Sequence, residues 1–394
     1  MLTISCIREP ELHLPNATPS EIEFSIVDLD LKTMWKYTWW DYALQAEVDY
    51  DWRTEWLYGW DATDIYNYHS DSIGYSPVDF FSLLRYYTGQ IPMGPHTSRP
   101  PLESVRGNTY TGKFNKGFWD ILVWSDVDPE KVSDIALDYD YESSNDSVVA
   151  STDVDRMHFA TPTKPRRIYY QQPEQLFSAY SRGEEINEEK LEDYKYDSIR
   201  NVWIRELEMK LEPITYIYLV QLILWNNNDK ISFEGPVAGI SNFASSTNVN
   251  TGVASTKPID VDFSPRQKKS MPVPRTFPSE IFRDSLDKMP KVTDVVGARM
   301  LTFGICGQNG NRIDSLQYVK DKYKHELYMP MKFSNGVDST FVFDVTEKVR
   351  SRWKGGVISV ELDMSKIPMP QRSGGSAFDA VVEEYKDTTY VFDM

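Results

Sequence analysis

An alternation of apolar and polar side chains over residues 357–364 constrains the fold of this chain more than any other feature. Four apolar residues alternate with three polar ones, namely Ile358, Val360, Leu362 and Met364 with Ser359, Glu361 and Asp363. A period of two residues is typical of a β-strand with one face toward a core and the other toward water. The pattern therefore predicts a half-buried strand whose three polar residues face solvent.

Further apolar segments extend this prediction to a fold made mainly of strands. Residues 215–225, 118–124 and 341–345 are rich in aromatic and aliphatic side chains, and the stretches between such segments are rich in Ser, Asn, Gly and Pro. Short strands separated by loops of this kind are typical of β-sandwiches. The Asn-Asn-Asn-Asp turn at residues 226–229 predicts a hairpin between residues 215–225 and 231–233.

Helical signals are few and short. Residues 173–180 carry proline at a plausible first turn and place three side chains on one helical face, those of Leu176, Phe177 and Tyr180. Residues 279–286 are a second candidate helix. Between them, the charged stretch over residues 184–196 is either a solvated helix or an interdomain connection.

The length of 394 residues favours two to three domains. We place a boundary near Arg200, where the charged stretch ends. The predicted organisation is an attachment and tether segment at residues 1–20, an N-terminal β-sandwich at residues 21–199 and a C-terminal β-sandwich at residues 200–394. Proline and polar residues in the first 20 positions suit a tether.

The amino-acid composition limits the classes of molecule that this protein is expected to bind. A hydrophobic content of 41% is ample for packed cores, yet no run of about 18 apolar residues that would span a bilayer occurs. The formal net charge of −17 repels nucleic acid and anionic lipid headgroups. Nucleic acid is therefore not an expected partner.

Cys6 has the sequence context of a lipid attachment site. It follows Ser5, a small residue, with apolar residues before that, which resembles the cleavage point of a bacterial lipoprotein signal peptide. Because five residues cannot supply the basic and apolar regions of such a peptide, we expect a longer signal peptide than the sequence contains. The alternative is an ordinary N-terminal cysteine. Cys306, the other cysteine, is expected to be a buried structural thiol, so neither a disulfide framework nor a thiolate metal site is expected.

Candidate catalytic and metal-binding motifs are weak. The five histidines, His13, His69, His96, His158 and His325, are scattered, and glycine-rich phosphate loops and nucleophile elbows do not occur. Four Asp-x-Asp pairs offer oxygen ligands for calcium, but an acidic solvated surface is the preferred interpretation: Asp126/Asp128, Asp138/Asp140, Asp153/Asp155 and Asp260/Asp262. We therefore predict a protein that is not an enzyme and has no cofactor, no metal site and no catalytic residues.

A cluster of tryptophans lies near the N-terminus. It comprises Trp35, Trp39, Trp40, Trp52, Trp56 and Trp60. Exposed aromatic rings on a β-surface stack on the flat C–H faces of sugars, whereas buried ones build a core or an interface. Core or interface is the preferred interpretation, and a glycan-binding surface stays open as the alternative.

Several short motifs together resemble the fimbrillin-like outer-surface lipoproteins of Bacteroidales. Residues 6–12 resemble the lipidated start of an uncharacterised branch of these proteins, and residues 117–124 resemble the glycine, aromatic, aspartate and aliphatic strand of its first domain. Residues 213–216 resemble the opening of its second domain. The tail resembles it in Ile367-Pro368 followed by residues 374–381, although Ser376 and Ala377 interrupt the usual glycine run.

The resemblance implies two tandem transthyretin-like, Greek-key β-sandwich domains with a few short helices. It also implies a lipoprotein anchored through Cys6 and exposed at the cell outer membrane, acting as a fimbrial subunit or as an adhesion or anchor component. Its expected partners are other fimbrial subunits and the outer membrane. If the protein also acts in adhesion, host or microbial surface ligands are further expected partners. The alternative function is a surface glycan-binding lipoprotein that uses the cluster from Trp35 to Trp60.

In proteins of this family a strand from one chain can complete a sheet of the next. The terminal segment at residues 388–394 is short, alternating and last in the chain. It is therefore a candidate for an exchanged or edge strand, and pairing within its own domain is the alternative.

Overall fold

The computed structural model describes residues 18–26, 40–41, 46–47, 52–59, 74–75, 78–89, 102–107, 109–125, 135–136, 149–151, 158–159, 168–187, 192–199, 202–235, 237–308, 321–370 and 388–392. Helical elements in these ranges are short: α1 spans Trp52–Glu55, α2 spans Thr346–Ser351, and 3-10 turns span Leu57–Gly59 and Leu286–Lys288. None of the described helices is long and apolar enough to cross a bilayer.

Strands dominate the described residues and are numbered in chain order. The first thirteen are β1 Thr18–Ile26, β2 Trp40–Asp41, β3 Ala46–Glu47, β4 Phe80–Gly89, β5 Glu103–Arg106, β6 Thr109–Phe114, β7 Gly117–Ser125, β8 Ile135–Ala136, β9 Val149–Ser151, β10 His158–Phe159, β11 Ile168–Tyr170, β12 Phe177–Ile186 and β13 Lys195–Asp197. The others are β14 Val202–Pro213, β15 Tyr216–Trp225, β16 Ile231–Ser232, β17 Ala238–Ala244, β18 Ser246–Asn248, β19 Pro258–Phe263, β20 Arg266–Pro272, β21 Val292–Thr302, β22 Glu326–Phe333, β23 Asp338–Asp344, β24 Gly356–Asp363 and β25 Thr388–Phe392.

Sheet A has eight strands in the order β5-β4-β7-β12-β14-β1-β6, with β13 paired to β14. Its two outer strands, β5 and β6, are consecutive in the chain, so the two ends of the sheet meet. Tyr110 on β6 donates a hydrogen bond of 2.5 Å to Glu103 on β5. The two outer strands therefore contact each other, and side chains of the sheet such as Leu83 and Val123 are buried in a core shared with β15 of sheet C.

Sheets B and C form a β-sandwich. Sheet B has the order β10-β11-β19-β17-β22-β23-β25 with β16 paired to β22, and sheet C has the order β20-β21-β15-β24. Side chains from both sheets meet in one core, including Val220 and Val360 from sheet C and Leu327 and Phe341 from sheet B. The mainly β, sandwich-containing class predicted from the sequence is confirmed.

Strand β15 contributes to two cores at once. Its even-numbered residues, for example Leu222, face sheet B, while its odd-numbered apolar residues, for example Leu219, pack with side chains of sheet A and with Leu57. Every residue of β15 is buried. This explains why residues 216–225 are apolar apart from Gln221 rather than alternating, since both faces of a central strand are covered.

The predicted hairpin between residues 215–225 and 231–233 is wrong, although its turn is present. Asn226, Asn228 and Asp229 have φ values of 55°, 46° and 56°, the left-handed region that Asn and Asp tolerate best after glycine. The chain then enters β16, which pairs with β22. Both edges of β15 are occupied by β21 and β24, so the turn carries the chain from sheet C to sheet B.

The alternating segment predicted at residues 357–364 forms β24, but Glu361 on its polar face is buried instead of solvated, while Ser359 and Asp363 are partly exposed. Glu361 is only 8% exposed. Its carboxylate accepts hydrogen bonds from Trp225 Nε1 at 2.8 Å, Ser279 Oγ at 2.5 Å and the backbone N–H of Glu280 at 2.7 Å. The loop that contains Ser279 covers this face, so the carboxylate is buried with three donors instead of solvated.

Both helix predictions are wrong. Residues 177–186 form β12, which pairs antiparallel with β7, and Phe177 and Ala179 point into the core with a period of two. Long-range pairing overrode the weak helical pattern there. Residues 279–286 form turns that end in the Leu286–Lys288 3-10 helix. The hydroxyl of Ser279 donates to Glu361 and accepts from the backbone of Phe282, which fixes this loop on sheet C.

The predicted tether ends earlier than expected, because Thr18, Pro19 and Ser20 lie in β1. The boundary near Arg200 stays a prediction, and Arg200 lies outside the described residues. Strand β14, which follows that position, pairs with β12 and β1 in sheet A. Strand β18 pairs with β9 from the first half of the chain. Strand pairing thus connects the two predicted domains.

Candidate assembly site at the last strand

The last described strand, β25, lies at the edge of sheet B. It runs parallel to β23, with the five pairs Ser339/Thr388, Thr340/Thr389, Phe341/Tyr390, Val342/Val391 and Phe343/Phe392. Strand β23 is its one neighbour among the described strands. The predicted terminal strand is confirmed, and in this structure it pairs within its own chain, which was the alternative.

The partner strand β23 is buried along the whole length that β25 covers. Residues 339–343 are all buried, and Phe341 and Phe343 point into the core between sheets B and C. On the opposite face, Val342 packs with Tyr328 of β22. A strand whose side chains are buried on both faces presents an edge of backbone N–H and C=O groups that need partners. We call residues 339–343 the β23 edge.

A second candidate site is a cleft of about 360 Å³ beside α2. Its lining is rich in charged side chains and includes Lys322, Tyr323, Lys324, Asp344, Thr346, Glu347, Lys348 and Arg350. Most of these charges are already paired within the protein. Lys324 lies 3.3 Å from Asp344, Arg350 bonds Glu347 at 2.9 Å, and Lys348 bonds Glu280 at 2.7 Å. The cleft is therefore a set of mutually neutralised ion pairs.

A buried Asp–His pair lies behind this cleft. Nε2 of His325 is 2.6 Å from Oδ2 of Asp321, and Nδ1 of His325 donates to the carbonyl of Ser241 at 2.8 Å. Burial alone would raise the pKa of Asp321. Hydrogen bonds from His325 and the Tyr323 backbone, with the charges of His325 and Arg350, outweigh burial and hold the pKa of Asp321 below its usual value.

The Asp321–His325 pair has a structural role. Both ring nitrogens of His325 are engaged and the side chain is fully buried. The hydroxyl of Thr346, which lines the cleft, donates to Asp344 at 2.6 Å and accepts the backbone N–H of His325 at 2.9 Å. A general base must reach a substrate proton, and His325 is not placed to do so.

The tryptophan cluster is represented in the structure by Trp56, which is 2% exposed and belongs to the core. The preferred interpretation as core is confirmed for this residue. Its segment is held on sheet C by polar contacts: Gln221 accepts from the backbone N–H of Tyr58 at 3.0 Å, and Lys268 donates to the carbonyl of Tyr58 at 2.9 Å. The side chains of Trp35, Trp39, Trp40, Trp52 and Trp60 lie outside the described residues.

Of the two cysteines, Cys6 lies outside the described residues, and its lipidation stays a prediction. Cys306 is buried, as expected, and its thiol lies 3.7 Å from the carbonyl oxygen of Asn242. Burial, together with the negative charge of Asp321, raises the pKa of Cys306 to about 12. The thiol is therefore protonated and unreactive at neutral pH.

Of the four Asp-x-Asp pairs, one lies in the described residues, Asp260 and Asp262 of β19. Asp260 accepts the backbone N–H of Asn242 at 3.2 Å, and Asp262 is buried. Asn242 has a φ of 68° in a β-bulge of β17, so Asp260 supports the backbone of this bulge. The other three Asp-x-Asp pairs lie outside the described residues, which contain no group of three potential metal ligands.

Sequence reasoning missed the buried polar contacts that organise these regions. Asp321 and His325 are four residues apart, which is the one signal that linked them. Lys268 and Tyr58 are 210 positions apart, and no local pattern connects such residues. The register of β25 on β23 was equally invisible, because it depends on which edges the other strands leave open.

Among known proteins, the chain is similar to solved structures. No protein-family model matches the chain, and no curated protein matches it. A candidate adhesin from Bacteroides ovatus is 12% identical, with a TM-score of 0.44, over 93% of this chain and 100% of that one. The fimbrial anchor protein Mfa2 from Porphyromonas gingivalis is 9% identical, with a TM-score of 0.35, over 87% of this chain and 90% of that one.

The C-terminally truncated tip fimbrial protein Mfa3 from Porphyromonas gingivalis is 8% identical, with a TM-score of 0.30, over 68% of this chain and 77% of that one. Because identities are 12% or lower and TM-scores lie below 0.5, these likenesses carry no argument about what this chain does.

Proposed function

We propose that this chain is a fimbria-associated surface protein that assembles by strand exchange, in which β25 of one chain pairs with the β23 edge of another. One observation carries the proposal: β25 is the outermost strand of sheet B and pairs in parallel with β23 alone among the described strands. The chain then acts through protein–protein contacts and not through catalysis.

The geometry supports exchange in two ways. The β23 edge is buried on both faces, so it favours an occupant that supplies backbone hydrogen bonds whether or not that occupant belongs to the same chain. Seventeen residues, 371–387, separate the last residue described before β25 from Thr388. A chain of that length spans at most about 60 Å, which is enough to reach a neighbouring subunit.

A proline scan of β25 tests the proposal. Successive residues of a strand point their N–H groups to opposite edges. Proline has no N–H, so one of the two variants Tyr390→Pro and Val391→Pro removes a hydrogen-bond donor that faces β23. The other variant removes a donor that faces away from β23. We expect the proline that faces β23 to abolish oligomers on a mildly denaturing gel and the other to leave them intact. Val391→Thr is the matched control, because it keeps the N–H.

Two results would contradict exchange. If the outward-facing proline alone removed the oligomers, subunits would add to the edge of β25 that faces away from β23 instead. If deletion of residues 388–394 left the oligomer ladder unchanged, β25 would play no part in assembly.

Surface anchoring through Cys6 is a separate part of the proposal, and it is supported by the residues around this cysteine in the sequence. The full-length precursor should incorporate a labelled fatty acid, and a Cys6→Ala precursor should not. Equal labelling of the two precursors would contradict lipid anchoring through Cys6, and it would not affect the proposal of strand exchange.

A further inference from the structure

One polar group of the β23 edge lacks a hydrogen bond. Ser339, the first residue of this edge, is 3% exposed, and its hydroxyl has no hydrogen-bond partner among the described residues, which include the backbone of β25. Thr388 of β25 is nevertheless paired with Ser339 in the parallel register. The seated strand therefore covers Ser339, and its backbone leaves the hydroxyl unsatisfied.

Ser339 lies on the face of β23 that looks into the sandwich. Phe341 and Phe343, two and four residues further along the strand, belong to the core between sheets B and C. Because the side chains of a strand alternate between its two faces, Ser339 shares the face of these two phenylalanines. A side chain this deeply buried depends on protein groups rather than on bulk water for its hydrogen bonds.

The unsatisfied hydroxyl weakens the pairing of β25 with the β23 edge. Leaving a buried hydroxyl without a partner changes the equilibrium constant by a factor of about ten. Along the rest of the edge, Phe341, Val342 and Phe343 present apolar side chains, and Thr340 lies on the other face of the strand. Ser339 is therefore the one position on the core face of this edge that can distinguish a polar residue of an occupying strand from an apolar one.

The register identifies which position of an occupying strand can reach this hydroxyl. Thr388 is paired with Ser339, and paired residues of neighbouring strands lie on the same face of a sheet. A side-chain amide offers both a donor and an acceptor, and it extends one bond further from the backbone than the hydroxyl of threonine does. An asparagine at the position of Thr388 therefore suits Ser339 better than threonine.

We propose that Ser339 is a selectivity residue of the β23 edge, which favours a strand from a different subunit with asparagine opposite Ser339 over β25 of the same protein. This inference rests on the proposed strand exchange and specifies the partner. The partner strand has asparagine at its first position and large apolar residues two and four positions later, opposite Phe341 and Phe343. A second copy of the chain can occupy the same edge, but it carries threonine at the first position.

A double-mutant cycle in the full chain tests this selectivity without requiring exchange. Thr388→Asn should lower the equilibrium constant of unfolding about tenfold in urea titration, and the same change in a Ser339→Ala background should have no effect. Ser339→Ala alone should not lower stability, because it removes a hydroxyl that the described residues leave unsatisfied. Thr389→Asn is the matched control, since Thr389 is paired with Thr340 on the other face of β23 and should give no gain.

Selection between strands is measured with two dye-labelled peptides of residues 388–394, one with the natural sequence and one with Thr388→Asn. Each peptide is incubated with the unlabelled full chain, and the bound fraction is read on a native gel. Both peptides compete with the same resident β25, so the ratio of the two bound fractions reports the selectivity. We expect about tenfold more binding of the peptide with Thr388→Asn, and equal binding of the two peptides to a Ser339→Ala chain.

Three results would overturn the selectivity. The first is a gain from Thr388→Asn that is equally large in the Ser339→Ala background. The second is no gain from Thr388→Asn in a chain whose circular dichroism shows an intact fold. The third is a marked loss of stability in Ser339→Ala, which would show that the hydroxyl is already satisfied. Failure of both peptides to bind, with the cycle as expected, would contradict strand exchange instead.

Discussion

Strands β15 and β25 show two opposite ways of belonging to a sheet. β15 lies between β21 and β24, pairs with both along most of its length and is buried on both faces. β25 pairs through five residues with β23 alone among the described strands. The first strand joins two neighbours and contributes to two cores, whereas the second contributes one ladder at an edge.

If subunits exchange a strand, as we propose, β25 is easier to release than β15. Removing β15 would open two sheet edges and two cores, whereas releasing β25 opens one edge. Because the net contribution of a backbone hydrogen bond is about 1 kcal/mol, a five-residue edge strand can be replaced by an equivalent strand from another chain at little net cost.

The largest effect is expected for Leu219→Ala in β15. Leu219 is fully buried in the core shared with sheet A, so truncation leaves a cavity and should lower the free energy of unfolding by about 3 kcal/mol. Urea titration followed by fluorescence measures this change. A loss below about 1 kcal/mol would mean that β15 is not the central element we describe.

A smaller but substantial effect is expected for Glu361→Gln in β24. The carboxylate accepts three hydrogen bonds in a buried site, and an amide there would place donor against donor. We expect a loss of about 2 kcal/mol in the same titration. Glu347→Gln is the control, because the Glu347 side chain is 85% exposed and should tolerate the change. Equal effects of the two substitutions would contradict the buried network.

Acid should destabilise the fold through carboxylates with lowered pKa values. The pKa values of Asp321, Asp344 and Asp363 are held below their usual range by hydrogen bonds and nearby cations, which outweigh burial. A lowered folded-state pKa gives stability that is fully present above the unfolded value, near 4, and is lost as pH falls through the folded value.

Thermal unfolding between pH 7 and pH 2 should therefore show a loss of stability that begins below about pH 4. In Asp321→Asn the slope of this loss should be shallower, because the variant cannot gain a proton at that position. An unchanged slope would show that Asp321 does not contribute.

The smallest effect on stability is expected at β25. The proline that faces β23, at either Tyr390 or Val391, removes one hydrogen bond from an edge ladder, so the free energy of unfolding should fall by about 1 kcal/mol. The same change should abolish oligomers. A loss as large as that of Leu219→Ala would make β25 part of the permanent core and would argue against exchange.

Local sequence patterns predicted individual strands well where one element determined the outcome. Residues 118–124, 341–345 and 357–364 have strand patterns, and all three form strands. The predictions failed where distant residues decide the structure. Residues 177–180 are strand because β7 pairs with them, and the turn after Trp225 changes sheets because β21 and β24 already occupy β15.

The candidate site was predicted in the same partial way. Alternation and terminal position marked residues 388–394 as a strand, but its parallel pairing with β23 depends on the arrangement of the whole of sheet B. The wet face expected for Glu361 failed for a similar reason, since a loop that begins some 80 residues earlier covers it. Sequence patterns report which side chains can be buried, and the long-range topology determines what buries them.

Engineered disulfides between chains test strand exchange most directly. Ser339 and Thr388 are opposite each other in the register, so cysteines at these positions lie within bonding range when β25 is seated on β23. Chains with Ser339→Cys, mixed with chains with Thr388→Cys in a background that lacks Cys6, should form a disulfide-linked pair on a non-reducing gel. If the mixture stayed single-chain while the Ser339→Cys, Thr388→Cys double variant closed a disulfide within one chain, strand exchange would be contradicted.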